Sequence, residues 1–195
     1  MLSRVKRPDS GEITFRYDAL GRRIEKRFNR AITQWVWDGN IPLHEWKEIH
    51  KLDYEPDRGY FTDIQRKPLI TWVYEDGTFV PAAKLTEAKT LSIVSNYMGT
   101  PEAMYSSEGQ KVWSCELNSY GNVRDYQGLS KTDCPFRYQG MYQDVETGLC
   151  YNRARYYSAD DGMYISQDPI GLEGNNPNSW IDPFGLDMSF KAAFR

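Results

Sequence analysis

Phe15-Arg16-Tyr17-Asp18-Ala19-Leu20-Gly21-Arg22-Arg23 decides the reading of the fold, because it sets an aromatic and an acidic residue just before a short turn closed by glycine. Asp18 tolerates turn geometry and Gly21 can take a positive φ without steric cost, which is what a tight hairpin requires. The phrase returns in looser form at Trp37-Asp38-Gly39, Tyr74-Glu75-Asp76-Gly77, Ser107-Glu108-Gly109, Ser119-Tyr120-Gly121, Glu146-Thr147-Gly148 and Asp160-Asp161-Gly162. These signals predict a run of antiparallel hairpins, and their uneven spacing marks a degenerate repeat.

The segments between the turns agree. Gln34-Trp35-Val36-Trp37, Thr71-Trp72-Val73-Tyr74 and Lys111-Val112-Trp113 mix β-branched with aromatic residues,. Leu149 to Tyr157 alternates with period two, which predicts one strand with Tyr151, Arg153, Arg155 and Tyr157 on a single face. Pro81 to Leu91 stays open between strand and a helix with proline in its first turn. The charged segment 47–70, carrying Pro56, Gly59 and Pro68, is expected to be an exposed loop or a long hairpin excursion,. With 14% aromatic residues the chain suits pleated surfaces better than a helical bundle, so the fold class is all-β,.

Composition also excludes functions. A net charge of -3 carries no basic surplus, so neither nucleic acid nor an anionic membrane is an expected partner,. The stretch Arg22-Arg23-Ile24-Glu25-Lys26-Arg27 alternates with apolar residues and includes an acid, as a solvated strand face does. Cys115, Cys134 and Cys150 lack the spacing of a zinc site and are expected to be buried thiols,. His44 and His50 stand on a polar stretch and are not expected to bind metal. No GxSxG, GxGxxG, Walker-type or HExxH phrase occurs, so no cofactor is expected,. No segment approaches the ~20 apolar residues of a membrane helix, and Met1 to Pro8 lacks the apolar centre of a signal peptide. The expected location is therefore cytoplasmic, with secretion only through a specialised bacterial export system.

Near the C-terminus one phrase occurs twice, as Asp168-Pro169-Ile170-Gly171-Leu172 and Asp182-Pro183-Phe184-Gly185-Leu186. Asp-Pro-x-Gly is a good β-turn sequence in its own right. Two carboxylates held a few ångströms apart would also share a proton, one acting as base and the other as acid. An arginine such as Arg155 could hold one of them ionised or stabilise an oxyanion.

The first stretch resembles the tyrosine–aspartate repeat of the Rhs (rearrangement hot spot) and YD-repeat proteins. Phe136-Arg137-Tyr138-Gln139-Gly140, then Gly148-Leu149-Cys150-Tyr151-Asn152-Arg153-Ala154-Arg155-Tyr156-Tyr157, then Ser166-Gln167-Asp168-Pro169-Ile170-Gly171-Leu172 resemble the core segment that closes the shell of those proteins. The resemblance implies an antiparallel hairpin ribbon forming part of an Rhs-type shell over 1–130, with the polar excursion at 47–70. An irregular core segment would follow at 131–186, and then a residual tail at 187–195.

What the family implies is a wall that encloses a C-terminal toxin, and a core that acts as an aspartyl autoprotease to free it. Carried over by position, Asp168, Asp182 and Arg155 are the catalytic candidates and Leu186–Asp187 the scissile bond. The spacer Leu172 to Ile181 is shorter than is usual in the family, and nine residues follow Leu186. The expected role is thus a structural fragment of a polymorphic toxin shell, without activity of its own, for interbacterial or insecticidal delivery by type VI secretion or a toxin-complex route. Its expected partners are the rest of the shell, or the toxin or delivery protein. An active autoprotease is the alternative and a surface or adhesion module the third reading.

Overall fold

A computed structural model describes residues 1–57 and 59–166, together with the backbone of 180–181 and 189–190. Twelve strands come first: β1 (Arg4–Lys6), β2 (Glu12–Tyr17), β3 (Arg23–Phe28), β4 (Ala31–Asp38), β5 (Ile41–Glu55), β6 (Gly59–Arg66), β7 (Ile70–Tyr74), β8 (Pro81–Thr86), β9 (Thr90–Ser95), β10 (Pro101–Tyr105), β11 (Lys111–Leu117) and β12 (Val123–Gln127). They form one antiparallel sheet in sequence order, except that β6 folds back on β5 alone and β7 pairs with β5 in its place along the path. Four short strands follow as a second sheet: β13 (Tyr142–Gln143), β14 (Leu149–Asn152), β15 (Arg155–Ser158) and β16 (Met163–Tyr164). Finally β17 (Trp180–Ile181) pairs with β18 (Ser189–Phe190). No helix occurs among the described residues, so the all-β reading holds.

The repeat phrase has a specific hydrogen-bond basis. In Asp18–Arg22 the N–H of Asp18 donates to the Arg22 carbonyl and the N–H of Gly21 to the Asp18 carbonyl. Asp18 Oδ1 then accepts from the N–H groups of Leu20 and Arg22, at 2.9 and 2.8 Å. Asn96 does the same for Met98 and Thr100, and Asn118 for Tyr120 and Asn122. A short acceptor side chain at the first position therefore satisfies the turn's otherwise unpaired donors, and glycine at the fourth supplies positive φ, +75° at Gly21,.

Successive strands run in opposite directions, so alternate turns fall on the same rim of the sheet. Turns 18–22, 39–40, 75–80, 96–100 and 118–122 line one rim. Turns 29–30, 87–89 and 106–110 line the other, and from that rim the β5–β6 hairpin projects beyond the end of β4 at Ala31. The segment 47–70 is therefore the long hairpin and not an irregular loop. The window at Pro81 is strand β8, with its proline at the first position, where a missing N–H is tolerated,.

One face of the sheet is apolar. Ile13, Phe15, Trp35, Trp72, Leu91, Met104 and Trp113 are buried there, each worth roughly 1.5–3 kcal/mol or more of burial,. Residues 131–164 cover this face: Cys134, Phe136 and Tyr142 join Trp35, Trp72 and Trp113 in one cluster, and Tyr151 and Tyr156 join Ile13 and Phe15 in another. Indole N–H groups that would be orphaned by burial find acceptors, Trp37 in the Arg23 carbonyl, Trp72 in Glu45 and Trp113 in the Ser130 carbonyl,.

Two expectations fail here. Leu149 to Tyr157 is a hairpin and not a single strand, turning at Arg153-Ala154 with Arg153 at φ +48°. Tyr151 therefore pairs across with Tyr156 and faces the long sheet, whereas Tyr157 pairs with Cys150 on the opposite face. The cluster Arg22 to Arg27 is not a solvated face, because Arg23 and Lys26 are 1% and 6% exposed. The cause is a bulge: Arg16 pairs with Glu25 but Tyr17 with Arg23, so Ile24 is the extra residue. The bulge breaks the alternation and turns both Arg23 and Lys26 inward.

Candidate functional site

Two cations turned into an apolar interior need compensation, because an unpaired buried charge costs several kcal/mol. It comes from the second sheet. Asp144, fully buried just after β13, accepts from Arg23 through both oxygens, with the Nη2–Oδ1 bond at 3.1 Å. Lys26 Nζ donates to Asp144 Oδ1 at 3.0 Å and to Glu146 Oε2 at 2.7 Å. Two cations thus meet two carboxylates. The Arg23 guanidinium is also enclosed by rings, 4.5 Å from the Trp35 centroid and 4.4 Å from that of Tyr151,.

Burial would raise the Asp144 carboxyl, but Arg23 and Lys26 beside it hold it below the usual carboxylate range. Burial would lower the Lys26 ammonium, and Asp144 and Glu146 more than reverse that. Tyr17 extends the network: its hydroxyl donates to the Leu2 carbonyl at 2.5 Å and lies 2.8 Å from the Tyr156 hydroxyl. The tyrosine and the aspartate of the repeat phrase have separate jobs. Asp18 shapes its own turn while Tyr17 reaches across to Tyr156 in residues 131–164, the closing segment laid over the apolar face.

The same closing segment is fastened along one rim. Arg153 donates to the Leu20 carbonyl and to Asn40 Oδ1, both at 2.9 Å. Gln139 donates to the Met98 carbonyl, Tyr138 to that of Ser119 and Tyr157 to that of Tyr120. Asn122 donates to Asp160 at 2.8 Å. Each rim partner belongs to turn 18–22, 39–40, 96–100 or 118–122, all on one rim. Close approach is built in at Gly99, at φ +76°, where a Cβ would stand 2.6 Å from Val80 and from Gln139.

Arg137 holds the closing segment itself in shape. Its buried guanidinium donates to the carbonyls of Cys134 and Phe136 at 2.9 and 2.7 Å, and to Gln143 Oε1 at 2.9 Å. The three cysteines are free and buried, and burial pushes the Cys134 and Cys150 thiols up to about 12. Among the described residues no group of three His, Cys, Asp or Glu could hold a metal ion.

Of the catalytic candidates, Arg155 is described, and Asp168, Asp182 and the Leu186–Asp187 bond lie outside the described residues. Arg155 is 3% exposed with its Cζ 3.7 Å above the Tyr164 ring, the stacked arrangement expected of a strand arginine among aromatics. Asn152 Nδ2 donates to the Tyr164 hydroxyl at 2.7 Å. This group lies on the face of β14 and β15 opposite Tyr151 and Tyr156. The Arg23–Asp144–Lys26 centre was missed in the sequence reading. Its only trace is an acid, Asp144, before the Gly148 turn, and that pattern reads as an ordinary turn.

Residues 1–176 match the family described as Teneurin YD-shell. Over 202 residues the chain is 31% identical to double-stranded DNA deaminase toxin A of Burkholderia cenocepacia (strain H111), pairing 92% of this chain with 14% of that protein. It is 33% identical to toxin protein Tse5 of Pseudomonas aeruginosa, pairing 90% of this chain with 15% of that one. A crystal structure of TcdB2-TccC3-TEV superposes with a TM-score of 0.67 at 23% identity, over 95% of this chain and 9% of that one, a likeness of fold. A Tc holotoxin pore structure from Photorhabdus luminescens gives a TM-score of 0.62 at 21% identity, covering 100% of this chain and 10% of that one. The chain therefore spans only a small part of the relatives it matches.

Proposed function

The chain belongs to the Teneurin YD-shell family, and on that premise we propose that it forms a stretch of wall and one closed end of a hollow shell that encloses a toxin. The observation that carries this reading is the fastening of residues 138–160 to four turns on a single rim, together with the Arg23–Asp144–Lys26 centre. A sheet closed at one rim by its own chain is half of a container. Among the described residues no strand pairs with the outer edges of β1 and β12, and those edges suit further strands of the same shell,. The partner in this reading is the remainder of that shell, and the role is structural.

Replacing the matching stretch of the Pseudomonas aeruginosa relative with this chain tests the reading. The remainder of that protein should stay protected from added protease, and a folded graft that leaves it fully digestible would sink the container role.

A second reading is autoproteolysis after Leu186 by Asp168 and Asp182 with Arg155. It is supported by the doubled Asp-Pro-x-Gly phrase at Asp168 and Asp182 and by the family position of Arg155. Intact mass of the purified chain should then show a species ending at Leu186 that disappears in Asp168→Asn. A full-length mass after prolonged incubation would remove this reading and leave the structural one intact.

A further inference from the structure

Away from the fastened rim, the apolar face of the long sheet holds a cavity of ≈ 540 Å³ lined by residues next to the 87–89 turn and by the segment that crosses from β12. Its floor is apolar, made by Ile70, Leu91, Met104 and Trp113, and Leu129 adds a side chain that is 94% exposed. Apolar surface of this kind left open marks a binding site more often than a defect. Its charge is mainly positive, three lysines against one acid, although Asp133 and Glu45 partly offset the charge of Lys84. Lys67, Lys84 and Lys89 line the cavity, and among the described residues none of their ammonium groups is in an ion pair. The one acid in the lining, Asp133, accepts from the Ser130 N–H at 3.1 Å.

Lys84 is the best placed of the three. Its Nζ donates to the Asp133 carbonyl at 2.7 Å and lies 5.3 Å from the Trp72 ring, so its position is fixed before any ligand arrives. Burial lowers its ammonium below the usual lysine range. A carboxylate arriving here would relieve that cost while a neighbouring apolar side chain covered the floor.

We propose that this cavity docks an extended peptide segment in which apolar side chains alternate with carboxylates, supplied by the chain that the shell encloses. The inference rests on the shell reading for the source of the peptide and on charge complementarity for its chemistry. A segment tethered inside a closed shell meets the cavity at high effective concentration, so weak intrinsic affinity suffices.

The test uses the purified 195-residue chain and two capped pentapeptides, ELFEL and KLFKL, with indole fluorescence and calorimetry as readouts. ELFEL should bind saturably and KLFKL at least about tenfold more weakly, a difference of about 1.4 kcal/mol. The double variant Lys67→Gln/Lys89→Gln changes two exposed side chains and keeps the fold, and it should lose most of that preference; Lys84→Met should weaken ELFEL about tenfold. Equal binding of the two peptides, no binding, or saturable binding of decanoate without ELFEL would each overturn the proposal. A folded chain that ignores ELFEL leaves the container reading standing, because protection from protease in the grafted relative is read independently.

Discussion

The β3 strand and the outer half of the β5–β6 hairpin are built from similar alternating sequence and end in opposite states. In β3 two cations, Arg23 and Lys26, are buried. On the hairpin Leu52, Tyr54, Tyr60 and Ile64 are between 54% and 76% exposed, and the Tyr54 and Tyr60 rings lie with centroids 5.1 Å apart. Residue type does not separate the two regions. What separates them is the element opposite: β3 has Asp144 and Glu146 across the interface, while the outer half of β5 lies beyond the reach of β4. A buried ion pair does little for net stability compared with apolar packing, but breaking one side of it is costly, so it specifies where the closing segment docks.

The sharpest way to break the comparison is Asp144→Ala, which leaves Arg23 and Lys26 buried without their shared acceptor. Urea unfolding should show a loss of about 3–5 kcal/mol. A loss under 1 kcal/mol would mean that the closing segment docks without the charge centre.

Acid offers a graded version of the same test. The Asp144 carboxyl is depressed in the folded chain, so its contribution is complete above the unfolded carboxylate value of ~3.9 and is lost as pH falls through the lower folded value,. Stability measured from pH 5 downward should fall more steeply in the native chain than in Asp144→Asn. Parallel curves would exclude Asp144 as the titrating group.

Asp18→Ala removes acceptors for two backbone N–H groups and the Arg22 side chain at a partly exposed turn. A loss of about 1 kcal/mol in thermal or urea unfolding is expected. Smallest of all should be Tyr54→Ser combined with Tyr60→Ser on the projecting hairpin, at about 0.5 kcal/mol per site or less. A larger loss would mean that the hairpin is packed against something in solution.

The buried thiols report on the closing segment directly. With Cys134 and Cys150 at about 12, neither should react with a thiol reagent at pH 8 until the chain unfolds, and Asp144→Ala should accelerate both,. Rapid labelling of the native chain would show that the closing segment opens readily.

Much of the long sheet was legible because turns are local. All seven sequence-derived turn glycines, from Gly21 to Gly162, have positive φ. The hairpin at 47–70 was partly legible, as one of two readings, because its charge and its Pro56, Gly59 and Pro68 suit a loop as well as a hairpin. Leu149 to Tyr157 was misread because Arg153 turns the chain with no glycine at the turn. Arg23 and Lys26 were misread because a bulge at Ile24 carries no fixed sequence mark. Arg155 was legible as a family position, and its place against Tyr164 equally fits an arginine stacked among strand aromatics.

By itself the sequence determined the all-β class, most of the turns and the membership of a shell-forming family, because hairpins are written in residues within a few positions of one another. Only the tertiary structure decided that the closing segment binds one rim, that Asp144 meets Arg23, and that an apolar cavity with three lysines lies away from that rim. Those facts join residues 19 to 133 positions apart, or depend on which face a bulge selects. Contacts of that range are set by packing, and no local pattern encodes them.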